Sequence, residues 1–219
     1  MHISNSEIKL LGKKNMKVQW GASLLAIILH AVLLACGNVI PVLGAIAIAG
    51  SPEFGLTYVF YDASKGEKIN CWDLFKGFEI DFGETFLAAI LMGIYTFLWT
   101  LLFIVPGIIK AYSYSMTYYL MVREPNLGAS EAITKSREYM KGNKARLFLL
   151  DLSFIGWDIL VGLTAGLLAV YVAPWQKHAK MVFFNDIYDR KNGVETEPVN
   201  TVNIDPEFVI IDENPVSNR

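Results

Sequence analysis

The sequence predicts an all-α fold: a polytopic transmembrane bundle of about six spans, folded as three helical hairpins. Three observations predict it. The chain has 219 residues, of which 53% are hydrophobic and 18% charged, with a mean hydropathy of +0.38; a soluble domain usually carries about 25% charged residues. The apolar residues gather in three blocks, each too long for one crossing and each interrupted near its centre by small or helix-breaking residues. The turns expected at those centres contain no lysine or arginine, whereas the segments outside the blocks are rich in both.

The first block, residues 18–61, has 44 residues and one charge, Glu53, and breaks at Gly37-Asn38-x-x-Pro41. The second, residues 85–122, has 38 residues and one charge, Lys110, and breaks at Val105-Pro106-Gly107. As helix it would run roughly 57 Å, close to twice the ~30 Å hydrocarbon core. The third, residues 147–176, holds Asp151 and Asp158 and breaks between Gly162 and Gly166, and apolar character returns at Met181-Val182-Phe183-Phe184. Breaks of this kind suit turns at the far interface, where water satisfies the freed backbone groups.

Basic residues orient the hairpins. Lys9, Lys13, Lys14 and Lys17 precede the first block; Lys65, Lys68 and Lys76 follow it. Arg123, Lys135, Arg137, Lys141, Lys144 and Arg146 separate the second from the third, and Lys177, Lys180, Arg190 and Lys191 come last. By the positive-inside bias, both termini and both long loops face the cytoplasm of a multi-pass cell-membrane protein. The last crossing is the weak element, because Lys177 and Lys180 would fall within it. A short, tilted or interfacial sixth helix accommodates them; a five-span alternative would put four basic residues outside.

The loops have structure of their own. Glu124-Pro125-Asn126 ahead of residues 127–141 reads as a helix with Asn126 as its cap and Gly142-Asn143 as its stop. Leu127, Ile133 and Met140 share one side with Ala129, Ala132 and Ser136, which suits an amphipathic helix in the inner headgroup layer. Residues 70–77 repeat the idea with Trp72 and Phe75 as anchors. Residues 1–191 therefore form the membrane domain, and residues 192–219, rich in Glu, Asp, Pro and Asn, an acidic cytoplasmic tail without fixed structure.

No motif for group transfer or hydrolysis is present, and the net charge of −2 gives no field for nucleic acid. The two cysteines, Cys36 and Cys71, suggest neither a disulfide framework nor a metal site. Leu33-Leu34-Ala35-Cys36 imitates a lipoprotein signal, but the long basic start and continued apolar sequence favour a first crossing. The expectation is a non-enzymatic chain without cofactors.

Ionisable groups inside the apolar blocks are the candidate functional residues, since a charge in lipid must be paired or used. These are Lys110, Asp151, Asp158 and Glu53. Asp151 and Asp158 are seven apart, on one face of a continuous fifth helix, with Asp158 ~16 Å deep counted from Leu147. They read either as an intramembrane site with Lys110 as partner, or as interfacial groups, Asp151 bonded to Arg146 or a loop lysine, Asp158 at the outer interface if the turn comes early near Gly156, and Lys110 reaching the outer headgroups. Glu53, after Ser51-Pro52, marks either a cavity or a kink whose amides it caps. Lys135, Arg137, Lys141, Lys144 and Arg146 are the candidate contacts to anionic lipids at the cytoplasmic face.

Two stretches resemble a known family. One is Leu101-Leu102-Phe103-Ile104-Val105-Pro106-Gly107-Ile108-Ile109-Lys110-Ala111-Tyr112-Ser113-Tyr114-Ser115-Met116. The other is Pro125-Asn126-Leu127-x-Ala129-x-Glu131-Ala132-Ile133-x-x-Ser136, continued by Met140-Lys141-Gly142 and by Leu150-Asp151-Leu152-Ser153-Phe154-Ile155-Gly156-Trp157. They resemble domain-of-unknown-function family 975, bacterial integral membrane proteins, over roughly residues 8–190. That family is in turn similar to the membrane portion ahead of some glycerophosphodiester phosphodiesterases. The resemblance implies a multi-span helical bundle and brings no activity with it. Lys110 and Asp151 fall within its motifs and Asp158 does not.

Three functions follow as expectations. The first is a lipid-interacting or scaffold/assembly bundle, with the bilayer, a second copy or another membrane protein as partner. The second is a small-solute or ion carrier or channel component using Lys110, Asp151 and Asp158. The third, least favoured, is a lipid-headgroup enzyme.

Overall fold

A computed structural model describes residues 3–37, 43–79, 82–102 and 104–193. The described residues are helical and contain no strand. The breaks expected at residues 38–41 and the acidic tail from residue 194 onward lie outside them.

Helix α1 (Asn5–Val18) was not expected from periodicity. Its signal is a capping box: the Ser4 hydroxyl accepts from the Glu7 N–H at 3.2 Å while the Glu7 carboxylate accepts from the Ser4 N–H at 2.8 Å. Ile8, Gly12, Asn15 and Met16, spaced i, i+4, i+7, i+8, form its buried face. That face packs on the last helix, α11 (Ala169–Lys191), whose Ala179 backbone comes so close that a side chain at Gly12 would sit 2.7 Å from its Cα. The chain then bends by 94° into α2 (Trp20–Gly37), which packs on α3 (Leu43–Ser64). A short 3₁₀ turn (Cys71–Phe75) and α4 (Lys76–Glu79) fold back onto α3. Asn70 caps the turn by accepting from Trp72 N–H, Leu74 is buried, and Trp72 is left exposed.

Helix α5 (Phe82–Leu102) and α6 (Ile104–Tyr114) make the second hairpin. Val105-Pro106-Gly107, expected as the break, instead lies within α6, with Pro106 in its first turn. There its missing N–H removes no intrahelical bond. Gly107 lets the arms close, since a Cβ there would lie 2.8 Å from the Thr100 Cα.

The next run is broken where one continuous crossing was expected. Helix α6 stops at Tyr114 and α7 (Thr117–Arg123) begins after Ser115-Met116. Ser136 of α8 (Ala129–Tyr139) stitches the gap: its hydroxyl donates to the Ser113 carbonyl at 2.9 Å and accepts from the Met116 N–H at 3.2 Å. The start of α8 is also held from elsewhere. Asn126 does not cap it; the Glu84 carboxylate of α5 accepts from the Ala129 N–H at 2.6 Å. Leu127, Ala129, Ala132, Ile133, Ser136 and Met140 are all buried, so the expected apolar side exists. Protein covers it: α8 packs on α5, α6 and α7, with Gly142 (φ +84°) following its end.

A second correction concerns the two aspartates. Helix α9 (Lys144–Leu152) ends before Ser153-Phe154, and α10 (Ile155–Leu163) follows, so Asp151 and Asp158 do not share one continuous helix. The turn expected between Gly162 and Gly166 is present, with Ala165 (φ +49°) and Gly166 (φ +89°) reversing the chain into α11.

The core lies where α3, α7 and α11 meet. Phe60, Tyr61, Tyr119, Leu120, Phe183 and Phe184 are buried there, with the Tyr119 ring edge-on to Tyr61 at 5.6 Å. Polar groups close its end: Arg123 donates to the Tyr61 hydroxyl at 2.8 Å and to Asp189 at 3.4 Å, and Tyr119 donates to Asn185 at 2.7 Å. Among the described residues one helix, Phe82–Leu101, is by itself long and apolar enough to cross a membrane; counting the bent pair Asn5–Val18 and Trp20–Ala35 as one span makes two. The breaks at Ser115-Met116 and Ser153-Phe154, and the charges within α11, shorten the other uninterrupted apolar runs.

Candidate functional site

Helix α11 carries Lys177 and Lys180 along its middle, and both find carboxylates on other helices. The Lys177 ammonium lies 2.8 Å from Glu53 Oε1 of α3. The other oxygen of Glu53 is 3.4 Å from His30 Nε2 of α2, and His30 Nδ1 is 3.2 Å from the Pro52 carbonyl. Three helices thus meet at one carboxylate. One turn further along, Lys180 lies 3.1 Å from Asp151 Oδ1 of α9, and the Tyr112 hydroxyl of α6 donates to Asp151 Oδ2 at 3.1 Å. On the other side of Lys177, His178 is buried, with Nε2 3.0 Å from the Ser23 hydroxyl and its ring edge-on to Phe60.

Lys177 and Lys180 border a cleft of about 350 Å³ between α6, α9 and α11. Asp151, Tyr112 and Ser115 are its other polar residues; Ala111, Leu147, Met181 and Phe184 form apolar wall. Tyr112 and Ser115 have already given their hydroxyl protons, to Asp151 and to the Tyr112 carbonyl. Each lysine has three N–H donors and one carboxylate partner, so the ammoniums are the donors available to an incoming group. No group of three His, Cys, Asp or Glu side chains among the described residues is placed to hold a metal ion.

The four ionisable candidates separate. Asp151 borders the cleft, and Glu53 joins it through Lys177. Asp158 lies apart, accepting from Gln176 Nε2 at 2.7 Å. Lys110 lies over the Trp99 ring, 4.5 Å from its centroid, and pairs with no carboxylate among the described residues. Of the partners expected for Asp151, Arg146 or a loop lysine, Arg146 instead holds Asp186 at 3.2 Å and the Ile3 carbonyl at 2.8 Å, tying α9 to α11 and the N-terminal segment. Glu53 joins side chains of two other helices instead of capping its own.

The loop cations also divide. Lys135 is bound to Glu124 at 2.6 Å, which holds its ammonium pKa above the ordinary lysine value. Arg146 is engaged with Asp186. Arg137, Lys141 and Lys144 have no ion-pair partner among the described residues, and the first two are exposed. His30, Lys177, Lys180 and Tyr112 were not among the candidate functional residues read from the sequence. The available signal was that a carboxylate inside an apolar block, Glu53 or Asp151, needs a cation, and Lys177 and Lys180 directly follow the third block.

Residues 101–191 match the model of a family described as "Protein of unknown function (DUF975)". The match supports the family resemblance over α6 to α11 and brings no activity. It contains Tyr112, Ser115, Asp151, Lys177 and Lys180, whereas Glu53 and His30 lie outside it. No curated protein and no solved structure matches the chain.

Proposed function

We propose that this is an integral membrane protein of about six crossings, with termini and long loops cytoplasmic, that acts without catalysis as a lipid-interacting or assembly bundle. The observation that carries the reading is the apolar surface left outside the core. Leu101 is 73% exposed, Val105 66%, and Leu163 and Leu167 78% each, with Phe97, Leu98, Ile108, Ile109 and Ile159 exposed beside them in sequence. Scattered exposed leucines are ordinary in a soluble protein, but whole helix faces of this kind call for a partner. Hydrocarbon is the partner that suits both these faces and the placement of cations outside the apolar blocks.

The test is topological. In a Cys36→Ser, Cys71→Ser background, the thiol introduced by Lys141→Cys should react with an impermeant maleimide in inverted vesicles and be silent in intact cells. Labelling from outside intact cells overturns the orientation.

A second reading, a carrier component, is favoured by one observation: His30, Glu53 and Lys177 join α2, α3 and α11. If Glu53→Gln inserts normally and abolishes a proton or cation flux that the wild type supports in proteoliposomes, the carrier reading replaces the first.

A further inference from the structure

We propose that the cleft between α6, α9 and α11 is a binding site for the headgroup of one anionic phospholipid, with Lys177 and Lys180 as the two cationic contacts. The inference rests on the membrane reading and names a site distinct from the cytoplasmic loop cations.

Four observations converge. First, two ammoniums border the cleft, and each has a single carboxylate partner, Glu53 for Lys177 and Asp151 for Lys180, which leaves N–H donors on both for an incoming anion. Second, Lys177 and Lys180 are three apart on α11, on one helix face with their Cβ atoms roughly 5–6 Å apart. A phosphodiester can bridge two ammoniums at that spacing. Third, both are held without being enclosed: 32% of the Lys177 side chain and 39% of the Lys180 side chain remain accessible. Each can add a second anion without leaving its carboxylate. Tyr112 steadies this arrangement by holding Asp151 on the side away from Lys180, so that Asp151 positions Lys180 and does not saturate it.

The fourth observation selects the source of the anion. The remaining walls are apolar: Leu147 from α9 and Met181 and Phe184 from α11. The helices that frame the cleft carry exposed apolar side chains, Ile108 and Ile109 on α6 and Phe148, Leu149 and Leu152 on α9. A charged headgroup in the cleft thus has apolar surface beside it on which acyl chains can lie. A free phosphate would use the lysines and leave these walls idle; a diacyl phospholipid uses both.

The experiment uses the full chain, purified in mild detergent and delipidated, with native mass spectrometry to count bound lipid. Phosphatidylglycerol should bind as a single copy about tenfold or more tighter than phosphatidylcholine, the scale of one charge-assisted contact. Lys180→Gln should reduce that preference to within about twofold, while Lys141→Gln, a change in the exposed loop, leaves it intact. Lys180→Arg, which keeps the charge, should retain most of it. Glycerol phosphate without acyl chains should fail to displace the lipid at millimolar concentration.

The proposal is overturned if the preference survives Lys180→Gln, or if Lys141→Gln removes it equally. Displacement by glycerol phosphate as effective as by the lipid assigns the site to a soluble phosphate and overturns the lipid. A chain that needs detergent yet shows no headgroup preference sinks the cleft alone, whereas one that is monodisperse without detergent sinks the membrane reading with it.

Discussion

Ser136→Ala should destabilise the protein far more than the loss of one small hydroxyl suggests. Ser136 is fully buried, and its hydroxyl is the bridge across the interruption between α6 and α7. Removing it strands two backbone groups, the Met116 N–H and the Ser113 carbonyl, with no water to replace the lost partner. Each buried unmet group costs about 1–3 kcal/mol, so the pair costs about 3 kcal/mol in total when the gap relaxes partly. For a chain of this size that lowers the unfolding midpoint by roughly 6–12 °C. The assay is thermal unfolding in detergent, followed by tryptophan fluorescence. Thr134→Ala is the control: Thr134 lies on the same helix, exposed, and bonds only the Ser130 carbonyl of its own turn. If the two variants unfold within a degree or two of each other, the stitch has no energetic meaning and the interruption is held by packing alone.

Three further outcomes are expected. Glu84→Ala should remove the cap of α8 at a cost of about 1 kcal/mol, read as faster amide exchange in the first turn of α8 while its Ser136 end stays protected. Glu53→Gln should leave the Lys177 ammonium without its carboxylate at a cost of about 2–3 kcal/mol in a hydrocarbon setting. The double variant Glu53→Gln/Lys177→Gln should recover part of that loss in thermal unfolding, and strict additivity would deny the pair. Asp62, just past the first apolar block, has its pKa pushed up to about 6, first by burial and then by Glu67. Because this folded value lies above the unfolded one, its contribution is fully present below about pH 4 and is lost as pH rises through 6. Asp62→Asn should therefore raise the unfolding midpoint at pH 7.5 and flatten its dependence between pH 5 and 7; an unchanged slope would contradict this.

The all-α class was legible because apolar blocks, small-residue breaks and loop cations are properties of composition and spacing. The amphipathic side of residues 127–140 was legible for the same reason, since periodicity shows which residues share a face. What covers that face is a tertiary fact, and here it is α5, α6 and α7, not headgroups. The interruptions at Ser115-Met116 and Ser153-Phe154 escaped notice because neither contains proline or glycine. At Ser115-Met116 the break is stabilised by a serine twenty residues away, beyond any local propensity. Asp151 and Glu53 were legible as lone carboxylates inside apolar blocks; their partners were not, because Lys177 and Lys180 read as interfacial until α11 brings them to α3 and α9. Helix α1 could have been read from Ser4-x-x-Glu7 and the i, i+4, i+7, i+8 spacing that follows.

Alkaline carbonate extraction of membranes expressing the chain probes its relation to the bilayer most directly. High pH strips proteins held by charge or by contact with other proteins and leaves those whose helices are solvated by hydrocarbon. The account predicts that the chain stays wholly with the membrane pellet and is released only by detergent. A chain recovered in the carbonate supernatant, monodisperse without detergent, would contradict it.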